Sequence, residues 1–242
     1  MEPYVANTVE ELSRHAATWM SNYIQDVLQK QERFAIALSG GTTPKRIYEL
    51  LATEEYSKNI DWSKVHFFWG DERFVPFTDE RNNAAMAYKS LLDKVPVQRD
   101  HVHVMRTDLA PHESASAYEK LLHTYFDKQT HTFDLVLLGI GGDAHTLSLF
   151  PGLPVLHEKI KWVTSFFLKA QEMYRITLTA PVVNKAASIL FLASGADKAV
   201  AVNSILYGNH DPELYPAQLI QPYNGNCHWF IDAAAAAEIS DR

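Results

Sequence analysis

The sequence predicts an α/β fold: a mostly parallel open sheet with helices on both faces. Two observations carry this. Short apolar runs alternate along the chain with stretches of helical periodicity. Several of those runs, at 34–38, 65–69, 133–138 and 189–193, are apolar almost without a break, as strands buried on both faces are. The 242 residues suit one large domain covering 1–242, and no repeat or Pro/Ser linker divides them.

The elements follow in order. Residues 8–30 place Leu12, Ala16, Trp19, Tyr23 and Val27 on one side of a helix. A strand at 34–38 leads into Ser39-Gly40-Gly41-Thr42-Thr43-Pro44, and Pro44 suits the first turn of the next helix, which carries Ile47, Leu50 and Leu51. A strand at 65–69 ends at Gly70-Asp71-Glu72-Arg73, and a helix is predicted at 82–93. His101-Val102-His103-Val104 alternates like a short strand, and 112–128 reads as an amphipathic helix. Further strands are predicted at 133–138, 162–165, 175–178, 189–193 and 227–231, with helices at 196–207 and, in an alanine run, at 233–239. The irregular stretch 150–172 is a candidate lid.

Composition narrows the function classes. Hydrophobic residues make up 47% of the chain, enough for a full core. Lys plus Arg number 22 against 29 Asp plus Glu, a net charge of −7 that argues against nucleic acid as a partner. It leaves room for a small anionic ligand, which needs only a few local cations and backbone amides. Cys227 is the single cysteine, so no intrachain disulfide is expected, and it reads as a small apolar residue beside Trp229 and Phe230. No run of about 18 apolar residues predicts a membrane span, and Met1-Glu2-Pro3-Tyr4 does not read as a signal peptide. A cytoplasmic address is the simplest expectation.

The most informative segment is 138–152. An apolar strand ends in Gly139-Ile140-Gly141-Gly142, and Asp143 and His145 follow two residues apart. Open α/β sheets bind ligands at the carboxyl ends of their strands. An unperturbed imidazole titrates near pH 6.5, so His145 suits a general base, with Asp143 to orient it. The bland alternative is that His145 caps the next helix and Asp143 caps the loop. A dinucleotide fingerprint is poor here, because the third glycine is missing at the required spacing.

Gly40, Gly41, Thr42 and Thr43 form a second candidate loop. Close backbone approach, a helix N-terminus and two hydroxyls would cradle a phosphate. The Gly-x-x-x-x-Gly-Lys-Ser/Thr spacing is absent, and a plain strand-to-helix turn is the alternative. Asp71-Glu72-Arg73 pairs an acid with a potential phosphate-binding arginine, although such triplets are commonly solvated turns. Arg175, beginning a strand, and Lys198, beginning a helix, are further candidate cations, although by themselves they read as ordinary surface charges. His101 and His103 would share one face of a strand, but no third ligand accompanies them, so no metal site is read.

Together these motifs resemble the 6-phosphogluconolactonase family of the glucosamine-6-phosphate isomerase/6-phosphogluconolactonase superfamily, over nearly the whole chain. Residues 39–44 resemble its phosphate loop. Trp69-Gly70-Asp71-Glu72-Arg73-Phe74-Val75-Pro76 resembles its acid–arginine segment, and Asn83-Ala84-Ala85-Met86-Ala87 the string that follows. Residues 139–152 are similar to its Gly-x-Gly-x-Asp-Gly-His-Thr-x-Ser-Leu-Phe-Pro-Gly motif. Arg175-Ile176-Thr177-Leu178-Thr179 and Pro216-Ala217-Gln218-Leu219 match later signatures. One position departs: the family carries glycine where this chain has Ala144. A positive φ there would strain alanine by about 1 kcal/mol or more.

The resemblance implies hydrolysis of 6-phospho-D-glucono-1,5-lactone to 6-phospho-D-gluconate, in the oxidative pentose phosphate route, with no cofactor. It implies a phosphosugar lactone as the partner, no nucleic acid or membrane, and a monomer or homodimer. His145 would activate water, Asp143 and Asp71 would orient the imidazole or the sugar hydroxyls, and the 39–43 loop with Arg73, Arg175 and Lys198 would hold the phosphate. The rivals are a glucosamine-6-phosphate deaminase of the same fold and a non-catalytic sugar-phosphate sensor. Leu147-Ser148-Leu149-Phe150-Pro151 favours the lactonase over the deaminase.

Overall fold

A computed structural model describes residues 2–239. The chain runs β1 (Tyr4–Ala6), α1 (Val9–Leu28), β2 (Phe34–Leu38), α2 (Thr42–Leu51), α3 (Glu54–Ser57), β3 (Val65–Trp69) and β4 (Asp71–Arg73). It continues through α4 (Asn83–Ala87), α5 (Pro111–Phe126), β5 (Leu135–Gly139), β6 (Val163–Leu168), β7 (Met173–Leu178), α6 (Ala180–Val183), β8 (Ser188–Ala193), α7 (Ala199–Tyr207) and β9 (Asn226–Asp232).

Six strands form an all-parallel sheet in the order β1-β9-β8-β5-β2-β3. Its strands are apolar on both parities because each face is covered. Phe34, Ile36, Leu38, Phe67, Trp69, Leu135 and Leu137 point into one core layer with Leu12, Ala16, Met20 and Ile24 of α1. Ala35, Ala37, Phe68, Val136, Leu138 and Phe191 point into the other, against Tyr118 and Leu122 of α5 and Val202 of α7. Thr8 caps α1 by accepting the Glu11 N–H at 3.2 Å. The inward face of α1 is centred on Leu12, Ala16, Met20 and Ile24, so Trp19, Tyr23 and Val27 lie at its margin, partly buried.

The remaining strands form a second, antiparallel sheet, β4-β7-β6. Gly70 is the pivot where the chain leaves the large sheet. Its N–H still bonds Leu38 at 2.9 Å, while its carbonyl accepts Leu178 N–H at 2.8 Å. The Asp71-Glu72-Arg73 triplet is therefore a strand and not a solvated turn, and Glu72 is 1% exposed. Glu72 is satisfied by backbone: it accepts N–H groups of Arg73, Asn83 and Ala84 at 2.7–2.9 Å, fixing the start of α4.

Other sequence expectations change in the structure. Residues 101–104 do not form a strand; Val102 makes one parallel bridge to Phe67 after a 3₁₀ turn at Arg99–His101. The helix expected at 82–93 is α4 followed by a π turn, Tyr88–Leu92. The alanine run 233–239 makes turns, because so short a run cannot repay helix nucleation and Asp232 already binds the Ala235 N–H at 2.8 Å. The candidate lid at 150–172 is tied down. Glu119 accepts the Trp162 N–H at 2.5 Å, and β6 pairs with β7 along its length. Among the described residues, no helix is long and apolar enough to cross a membrane.

Candidate active site

The carboxyl ends of β2, β5 and β8 meet at one edge of the large sheet, and the small sheet closes the side. Three close approaches bring the loops together. A Cβ on Gly139 would lie 3.7 Å from Ser39 Oγ, and one on Gly142 would lie 3.0 Å from the Asp197 carbonyl. The hydroxyls of Thr43 and Ser194 are 2.8 Å apart. Between the loops lies a cleft of about 440 Å³. Gly40, Gly41, Thr42, Thr43, Asp71, Arg73, His145, Arg175 and Lys198 all line it. Asp143 reaches it through His145.

The 39–43 loop is held from beneath by Tyr48 of α2. The buried phenol accepts Ser39 N–H at 3.0 Å and donates to Ser39 C=O at 2.9 Å. Burial pushes that phenol well above its usual range. Gly41 then turns at φ 101°, which favours glycine, and starts α2 with no side-chain cap. The first N–H groups of the helix are thus free for an anion. Gly40 is required for a different reason: a Cβ there would fall 2.0 Å from Asn83 Oδ1.

The β5 loop builds the acid–imidazole pair. Asp143 Oδ1 lies 2.5 Å from His145 Nδ1 and also accepts the His145 N–H at 3.2 Å. The His145 hydrogen bond holds the Asp143 carboxyl below its ordinary value, against a smaller opposing effect of burial. Nε2 makes no hydrogen bond to the described residues and is free for water or substrate. The imidazole is stacked on Phe150, with centroids 4.2 Å apart. Ala144 does adopt a positive φ, 62°, as does Leu147 at 54°. The strained Ala144 turn is over-determined: it is 1% exposed, its N–H bonds Gly141 C=O at 3.0 Å, and its carbonyl accepts Ala217 N–H at 3.1 Å.

The two aspartates separate. Asp143 holds the imidazole, whereas Asp71 accepts the buried Ser148 hydroxyl at 2.7 Å and faces Arg175 at 3.8 Å. Arg175 is 4% exposed, donates Nη2 to Gln171, and leaves Nε without a partner. Lys198 is held at 2.8 Å by Asp197. Asp232 accepts the Gly195 N–H at 3.0 Å and so shapes the turn before it. Arg73 donates to the Arg81 carbonyl at 3.0 Å, and its Nε is buried without a partner. The cations are therefore placed by backbone and acids before any ligand arrives.

Arg81, Asn83, Gln171 and Ser194 also line the cleft, and sequence reasoning assigned them no role. Asn83 stood in the Asn-Ala-Ala-Met-Ala string, which was its only signal. His101 and His103 lie away from the cleft, stacked with His66, and carry no site chemistry. Among the described residues, no group of three or more His, Cys, Asp or Glu is placed to hold a metal ion.

Residues 7–229 match the family model described as glucosamine-6-phosphate isomerases/6-phosphogluconolactonase. The chain is 39% identical to a 6-phosphogluconolactonase of Nostoc sp., covering 90% of this chain and 89% of that protein. It is 38% identical to a 6-phosphogluconolactonase of Synechocystis sp., covering 94% of each. The solved 6-phosphogluconolactonase of Trypanosoma brucei superposes with a TM-score of 0.85 at 29% identity, over 99% of both chains. A monomeric glucosamine-6-phosphate deaminase shares the fold, with a TM-score of 0.83 at 21% identity over 98% of this chain and 100% of that one. The chain belongs to the glucosamine-6-phosphate isomerase/6-phosphogluconolactonase family.

Proposed function

We propose that this protein is a 6-phosphogluconolactonase, hydrolysing 6-phospho-D-glucono-1,5-lactone to 6-phospho-D-gluconate in the oxidative pentose phosphate route, in the cytoplasm. The observation that carries the reading is the Asp143–His145 pair, with a free Nε2, across one cleft from an uncapped helix N-terminus and buried Arg175. Relatives of that name over almost the whole chain support it.

In this mechanism the N–H groups and hydroxyls of Thr42 and Thr43 receive the phosphate, with Arg73, Arg175 and Lys198 supplying charge. Anchoring the far end of the substrate fixes its ester near His145. Nε2 takes a proton from water as the water oxygen attacks C1, while Asp143 keeps Nδ1 protonated and faces the imidazolium that forms. Loop N–H groups stabilise the oxyanion. Collapse of the tetrahedral intermediate breaks the C1–ring oxygen bond, and His145 returns its proton to the departing oxygen. Asp71, engaged with Ser148 and Arg175, orients the phosphate side of the cleft.

The test is consumption of freshly generated lactone with and without enzyme, because such lactones also open unaided. Acceleration far above the spontaneous rate is the expected result. Ammonia release from glucosamine 6-phosphate would favour the deaminase, and 6-phosphogluconate binding with no acceleration would favour a sensor.

A further inference from the structure

Phe150 joins the two working halves of the cleft. Its ring stacks on the His145 imidazole, with centroids 4.2 Å apart and planes 29° apart. The same ring lies 5.8 Å from the Arg175 guanidinium carbon, in cation–π range. It is 9% exposed, and Arg175 beside it is 4% exposed. The residue stands just beyond the tight turn that begins at Ala144, where Leu149 N–H bonds Thr146 C=O at 2.9 Å.

We propose that Phe150 is a positioning residue for hydrolysis, holding the general base and the buried phosphate-side arginine on one aromatic ring. This rests on the lactonase reading. Asp143 accepts the His145 N–H and meets the ring at Nδ1, and neither contact fixes rotation of the imidazole about the Nδ1 bond. Stacking on Phe150 removes that freedom and aims Nε2 at a fixed point. When the imidazole becomes cationic, the ring's negative face attracts that charge more than an aliphatic side chain would. Arg175 gains from the same ring, and its other partners, Asp71 and Gln171, grip only the ends of the guanidinium. One side chain thus sets the spacing between the base and the phosphate grip.

The distinguishing experiment compares Phe150→Leu, which removes the ring, with Phe150→Tyr, which keeps it. Steady-state kinetics on fresh lactone are measured beside melting temperature, with Phe150→Met replacing the Leu variant if that fails to fold. The ring-less variant is expected to lose about tenfold in kcat and to raise KM severalfold, and Tyr to restore both to within about twofold of wild type. Wild-type kinetics in the folded ring-less variant would overturn the proposal. Equal losses in the ring-less and Tyr variants would do so too, since packing and not the aromatic face would then be at work. Wild type that fails to accelerate lactone opening would instead overturn the lactonase reading.

Discussion

The His145 imidazole fills the space that a side chain on Gly141 would occupy. A Cβ on Gly141 would lie 2.0 Å from Nδ1 of His145 and 2.5 Å from Oδ1 of Asp143. The glycine at this turn is thus a condition for the acid–imidazole pair, and its own N–H bonds the His145 carbonyl at 2.8 Å.

Gly141→Ala is therefore expected to push the imidazole off Asp143 and lower kcat about a hundredfold with little change in KM. His145→Ala sets the scale, with a loss of at least about a hundredfold and an unchanged melting temperature. Steady-state kinetics on both variants check this. Near-normal turnover in His145→Ala would remove the imidazole from the base role.

Lys198 and Arg175 are assigned to the unreacting phosphate, so their loss should act on KM. Lys198→Ala is expected to raise KM about tenfold with kcat nearly unchanged. Arg175→Ala should do the same and also lower the melting temperature, because it strips a charged partner from buried Asp71. An unchanged KM in both would place the phosphate elsewhere.

Glu72 links stability to pH. Burial pushes its carboxyl up to about 7, although three backbone N–H groups pull the other way. The folded protein therefore holds this proton more tightly than the unfolded chain. The contribution is full below about pH 4.5 and is lost as pH rises through about 7. Glu72→Ala should cost about 1–3 kcal/mol, since the buried Asn83 and Ala84 N–H groups lose their acceptor. Its difference from wild type in urea melts should shrink as pH rises from 5 to 8.

The histidine cluster acts in the opposite direction. His66 stacks on His101 at 3.7 Å, with His103, Tyr125, Arg33 and Asp100 around it. Burial, then the neighbouring imidazoles, lowers His66 to about 4; burial and His101 lower His103 to about 4. The unfolded chain takes up these protons first on acidification. Their contribution is full above about pH 6.5 and is lost as pH falls through about 4. His66→Phe should flatten that acid loss in urea melts between pH 7 and 4.5. An unchanged slope would show that the cluster opens freely to water.

Much of this site was legible because buried parallel strands are unbroken apolar runs, and their ends are marked by glycine. That put Thr42 and His145 just past strand ends on one sheet edge, whereas Lys198 stood only as a candidate cation at a helix start. Asp71-Glu72-Arg73 was not legible as a strand, because its partner is β7, far along the chain, and local charge says nothing of that pairing. Ala144 was readable as a departure from glycine, but its φ of 62° depends on Ala217 and Gly141 holding the turn. Ser194 and Gln171 carried no signal, since hydroxyl and amide side chains are ordinary in loops. The separate duties of Asp143 and Asp71 emerged only from which atoms they touch.

A structure of the protein bound to 6-phosphogluconate tests the central claim most directly. The account predicts the phosphate on the first N–H groups of α2, between Thr42 and Arg175, with the C1 carboxylate within hydrogen-bond reach of His145 Nε2. A phosphate seated outside that loop, or a C1 carboxylate turned away from the imidazole, would contradict it.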